Sequence, residues 1–178
     1  MASIRPLIRL GVAPLVLAGV ADAKPMKKQH AHDHGHAKLS IAVDDQSIAF
    51  DLDTPAQGLY GFEYEPRTDV EKSTYADANA KFEKTPQELF VLGADYGCKV
   101  TKATIKKEAA EPGETGAAAH SDMNASVVFQ CTKSLAGAKV TIALIKAFPL
   151  IKEVKVQIAT ATKQAGESVT KPEQELTL

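Results

Sequence analysis

Tryptophan is absent from this chain, aromatic residues make up only 6% of it, and its 178 residues include just two cysteines and five histidines. Small aliphatic side chains must therefore do most of the packing, in a chain long enough to bury a sizeable core as one domain. An excess of charge of either sign is also missing. The formal net charge is −1, so there is no concentrated basic surface of the kind that phosphate binding needs, and no nucleic-acid partner is indicated. No His-Glu-x-x-His motif, nucleophile elbow or Gly-rich phosphate loop occurs, which argues against an enzyme. Beyond the N-terminal stretch, no window is long and uncharged enough to supply the roughly 20 apolar residues of a membrane span.

That N-terminal stretch reads as a secretory signal peptide over residues 1–23. Arg5 and Arg9 form its basic region, Leu10 to Val20 its short apolar region, and Ala21-Asp22-Ala23 a small-x-small cleavage site. The mature chain is then expected to begin near Lys24, with a His-rich segment over 24–37 and a single domain over 38–178. Cleavage leaves an exported chain that is not embedded in a membrane. In such a compartment the even pair Cys98 and Cys131 predicts a disulfide. A thiolate metal site is the rival reading, disfavoured because the pair lacks the close Cys-x-x-Cys spacing of structural zinc sites.

Period-2 alternation dominates the rest. Leu39, Ile41 and Val43, then Ile48, Phe50 and Leu52, predict a hairpin turning at Asp44-Asp45-Gln46. The segment 54–66, with Pro55, Gly58, Gly61 and Pro66, reads as a loop. Tyr75, Ala78 and Phe82 predict a helix from Asp69, followed by a short second helix capped by Thr85 with Pro86 at its first position and ending at Gly93. Strands return at 98–105, with a bulge, then at Met123 to Cys131, Val140 to Leu144 and Val154 to Ile158, with a flexible loop over 106–121. A polar tail over 163–172 precedes Leu176 to Leu178, read as a last edge strand or a frayed end. The fold class is thus α+β, a single domain of mainly antiparallel hairpins with one or two helices at about 69–92. The hairpins at 36–52 and 120–144, each led by a histidine, suggest a pseudo-repeat.

Four of the five histidines lie within seven residues, His30, His32, His34 and His36. Neutral imidazole is the commonest protein ligand for borderline divalent ions, and closely spaced ligands gain from chelation. A polar tail or an artificial tag is the plain alternative. The run alternates, however, carries Asp33, and leads straight into a strand pattern. Carrying strand parity back from Leu39 puts His34 and His36 on the polar face, and the same argument puts His120 and Asp122 on the polar face of the strand ending at Cys131. The resulting metal site comprises His34, His36 and His120, with Asp122 or His32 completing it and His30 belonging to a mobile collecting arm. Imidazole and carboxylate suit Zn(II), with Cu(II) and Ni(II) as competitors.

The stretches His34-Gly35-His36-Ala37-Lys38-Leu39, Leu52-Asp53-Thr54-Pro55-Ala56 and Gly61-Phe62-Glu63 resemble the N-terminal signature of the ZrgA-type periplasmic zinc-uptake proteins. His120-Ser121-Asp122, Phe129-Gln130-Cys131 and Ala147-Phe148-Pro149 resemble that family's later blocks, so the similarity covers nearly the whole mature chain. The resemblance implies a Gram-negative periplasmic protein that binds zinc beside an ATP-binding-cassette importer, with His34, His36 and His120 as metal-linked positions and Asp122 nearby. It departs from the pattern between the cysteines, where 108–119 holds no histidine, and at Tyr64 and Asn124, which stand where relatives place histidine. Two other readings stay open at this stage. One is a zinc-dependent periplasmic hydrolase with Glu63 or Asp122 as base, and the other a non-metal periplasmic interaction module whose histidines sense pH.

Overall fold

The computed structural model describes residues 34–108 and 121–178. The expected signal peptide over 1–23, His30, His32, His120 and most of the expected loop over 106–121 lie outside the described residues. Strand β1 (His36–Asp44) and strand β2 (Ser47–Pro55) form the expected hairpin, with Leu39 opposite Leu52 and Ile41 opposite Phe50. Asp45 occupies the turn at φ +49, a left-handed conformation that a short polar side chain tolerates. Ala37, Leu39 and Ile41 alternate inward with Ile48, Phe50 and Leu52 from the partner strand, all at most 2% exposed. Burying each large member contributes about 1.5–3 kcal/mol.

Two sheets result. The larger has the order β4-β5-β2-β1-β7-β8, where β4 spans Lys99–Lys107, β5 Asp122–Gln130, β7 Glu153–Ala159 and β8 Gln164–Val169. Every neighbouring pair is antiparallel except β1 and β7, which run parallel. The smaller sheet is β3-β6-β9, with β3 at Phe90–Leu92, β6 at Lys139–Ile142 and β9 at Gln174–Thr177. Phe50 of the first sheet stacks on Phe90 of the second with centroids 4.3 Å apart, and meets Phe129 edge-on at 5.8 Å. These contacts place one continuous core between the sheets. Nine strands and three α-helices among the described residues make a small α+β domain, mainly β. None of its helices is long and apolar enough to cross a membrane.

Several local expectations are corrected. Residues 54–66 are not all loop, because Ala56–Tyr60 form a short helix α1 that buries Ala56, Leu59 and Tyr60. Helix α2 spans Asp69–Lys84, beginning and ending where the sequence indicates. Instead of a second helix to Gly93, Pro86–Glu88 make a single 3-10 turn without a Thr85 side-chain cap, and β3 follows because Phe90 is needed between the sheets. Leu144 opens helix α3 (Leu144–Ala147) rather than ending a strand. The suggested repeat fails as well. β5 pairs with β2 and β4 while β6 pairs with β3 and β9, so the second pair of strands is split between sheets and forms no hairpin. The bulge in β4 falls between Val100 and Lys102, and Cys98 and Cys131 are joined by a disulfide. β9 settles the C-terminus as an edge strand, anchored by buried Leu176 and Leu178.

Candidate metal centre

The polar face of the larger sheet follows directly from its pairing. In β1 the inward residues are Ala37, Leu39 and Ile41, so His36, Lys38 and Ser40 face the other way. Glu153 of β7 pairs with His36, and on the far side β2 carries Asp53 opposite Lys38 and Pro55 opposite Asp122 of β5. Continuing that register gives a cross-strand row of Glu153, His36, Pro55 and Asp122 at one end of the sheet. The row beneath it is Lys155, Lys38, Asp53 and Asn124.

His36 Nδ1 lies 2.9 Å from Glu153 Oε2, and the other oxygen of that carboxylate accepts a 2.5 Å hydrogen bond from Ser168 Oγ on β8. Ser168 chiefly, then the Lys155 charge and His36, hold the Glu153 carboxyl below its ordinary range against the opposing effect of burial. The carboxylate is therefore firmly anionic near neutral pH.

His34 sits differently from the strand-parity reading. It precedes β1 in a turn whose next residue, Gly35, has φ +90, so its direction is set by that turn and not by the pleat. The Gly35 carbonyl accepts from both Lys152 N (2.7 Å) and Glu153 N (3.1 Å), which ties the turn to the start of β7. His34 is about half exposed, and its Nδ1 is 3.6 Å from Oε1 of the mostly buried Glu63. That separation exceeds a hydrogen bond.

Glu63 in turn is fixed by the second block. Ser121 Oγ donates to the Glu63 carbonyl at 2.7 Å, and the Ser121 carbonyl accepts from Ala56 N at 2.8 Å. The loop bearing Glu63 is also held by α2. Tyr64 Oη donates to Glu71 Oε1 at 2.7 Å, while Glu71 Oε2 accepts from Arg67 N and Thr68 N at 2.8 Å each, completing a capping box with Thr68. These donors pull the Glu71 carboxyl down to about 2. His36 Nδ1, Glu63 Oε1 and Asp122 Oδ1 are all sheltered from solvent.

Of the residues expected at the metal site, the described structure thus brings His34, His36 and Asp122 to one end of the domain. His30, His32 and His120 lie outside the described residues, although Ser121, the chain neighbour of His120, is bonded to the Glu63 loop. Among the described residues, no three His, Cys, Asp or Glu side chains form a group that could hold a metal ion. Two imidazoles with carboxylates close by are nonetheless a donor set suited to Zn(II). Glu153 and the histidine-facing position of Glu63 were missed in the sequence. The available signal for Glu153 was its parity, since it opens the alternation Val154, Val156, Ile158 on the polar side.

No curated protein gives a significant sequence match. A family model described as ZrgA family zinc uptake protein matches residues 31–178, a span that takes in His32, His34, His36, His120 and both cysteines. With that match covering most of its length, the chain belongs to the ZrgA family of zinc uptake proteins.

Proposed function

We propose that this protein captures Zn(II) in the periplasm, after cleavage of its leader near Ala23, and supports zinc uptake beside an ATP-binding-cassette importer. The observation that carries this reading is the clamp between the two sequence blocks. Ser121 holds the Glu63 backbone, Glu63 faces His34, and His36 stands two residues further on at the same end of the sheet. His120 directly precedes Ser121 in the chain and is taken here as the third ligand. His34, His36 and His120 would be the ligands, with Asp122 supporting them and His30 and His32 collecting ions from solution. Imidazole ligation favours Zn(II), and Cu(II) and Ni(II) compete for the same donors. Family membership supports a transport role rather than catalysis.

Titrating zinc into the tag-free chain from Lys24 onward, and into His34→Ala, His36→Ala and His120→Ala, tests the site. Each substitution should weaken binding by more than roughly tenfold, or 1.4 kcal/mol. Unchanged affinity in His120→Ala would break the shared site and leave only a histidine tail. Removing residues 24–33 should leave the tight site intact.

A further inference from the structure

We propose that Glu153, itself braced by Ser168, is the positioning residue that fixes the His36 imidazole in the Nδ1–H form and leaves Nε2 as its metal-binding atom. The inference rests on the zinc-capture reading above and names how one ligand of that site is oriented. Three adjacent strands build the relay. His36 on β1 pairs with Glu153 on β7, and β8 brings Ser168 opposite Lys155, one diagonal step from Glu153 on the same face. Glu153 Oε1 accepts a hydrogen bond from Ser168 at 2.5 Å, and Oε2 lies at ion-pair distance, 2.9 Å, from His36 Nδ1. A carboxylate committed on both sides orients a ligand instead of serving as one. An imidazole with Nδ1 turned to an anion donates its proton there and offers Nε2 to an ion, the arrangement by which carboxylates fix the tautomer and raise the basicity of metal-binding histidines.

The test follows the imidazole nitrogens of 15N-labelled mature protein by long-range 1H–15N correlation at pH 8, first without metal and then with zinc alone. His36 should carry its proton on Nδ1 in the metal-free protein, and its Nε2 signal should be the one that moves on adding zinc. Glu153→Ala should abolish the Nδ1–H preference and weaken zinc binding by about 10–100-fold, the usual effect of losing such a partner. Glu153→Gln keeps a carbonyl acceptor and should recover the tautomer and most of the affinity. Ser168→Ala should give a smaller loss. Glu167→Gln, on the same strand but opposite Val156, removes equal charge and should change neither readout.

An Nε2–H tautomer in the metal-free wild type overturns the proposal. So does a Glu153→Gln protein as weak as Glu153→Ala with the tautomer unaltered, which would reduce Glu153 to a simple negative charge. Unchanged zinc affinity in His36→Ala would instead sink the zinc site, and the metal-free tautomer still decides the orientation.

Discussion

At one end of the six-stranded sheet, around the Asp45–Gln46 turn, the chain is held by apolar packing and a covalent bond. Cys131 and Leu135 are buried there, their amides donate to Gln46 and Asp45 carbonyls at 2.8 Å, and Cys131 is joined to Cys98. At the other end, around His36, the strands terminate in imidazoles, carboxylates and hydroxyls. The comparison shows a division of labour along the strands. Stability is concentrated where nothing polar needs to be presented, and the polar end can place weakly held ligand atoms on strands whose ladders are anchored elsewhere.

The largest test of that division is removal of the disulfide. Cys98→Ala with Cys131→Ala should lower stability by about 3–4 kcal/mol in the chain-entropy model, measured by denaturant unfolding, with zinc affinity unchanged while the protein is folded. A fall in affinity would show the two ends to be coupled. Next comes the contrast within the polar end. His36→Ala should weaken zinc binding about hundredfold (about 2.7 kcal/mol) and His34→Ala by less, though still more than about tenfold, because a carboxylate stands 2.9 Å from His36 Nδ1 whereas Glu63 Oε1 stands 3.6 Å from His34 Nδ1. Equal losses in the titration would erase that distinction.

Gly35→Ala should cost about 1–2 kcal/mol, because φ +90 strains an L residue and its Cβ would stand 3.3 Å from Lys152 Cγ and 3.4 Å from the Leu150 carbonyl. The melting temperature should fall and zinc binding weaken with it, since the turn aims His34. The smallest effect is expected at Glu71→Ala, which loosens the loop bearing Glu63. Because the folded carboxyl sits at about 2 against an ordinary 4.5, its stabilisation is complete above 4.5 and disappears as pH falls toward 2. The gap in melting temperature between wild type and Glu71→Ala should therefore be open at pH 7 and close across that window.

Much of this was legible because alternation records burial directly. Ile48, Phe50 and Leu52, or Val154, Val156 and Ile158, announce a strand and its inward face without reference to any neighbour. β8 escaped notice because Gln164–Val169 is an edge strand with only Val169 buried, held by backbone pairing to β7 more than by side chains. The Thr85-Pro86 signal was genuine but worth one turn, since Leu89 and Phe90 are required in the core immediately afterwards. The disulfide followed from count and compartment. At the candidate metal centre, parity put His36 and Asp122 on the polar face, as the sheet does, but His34 precedes β1 in a turn whose direction depends on Gly35. Parity places Glu153 on the polar side and a sequence block contains Glu63, but the partners that matter for them and for Ser168, a distant histidine or loop, leave no local mark.

The parallel pairing of β1 with β7 has a consequence for the order in which the molecule becomes competent. All five histidines precede Glu153 in the sequence, and Ser168 comes later still. Pairing the first described strand with one so far downstream carries the entropy of closing nearly the whole domain, and such long-range contacts form slowly. A chain delivered N-terminus first thus holds its complete histidine inventory well before it holds the carboxylate and hydroxyl that aim His36. Truncation between His120 and Glu153 separates the two properties, leaving a polypeptide that is rich in histidine and lacks the carboxylate proposed to aim His36.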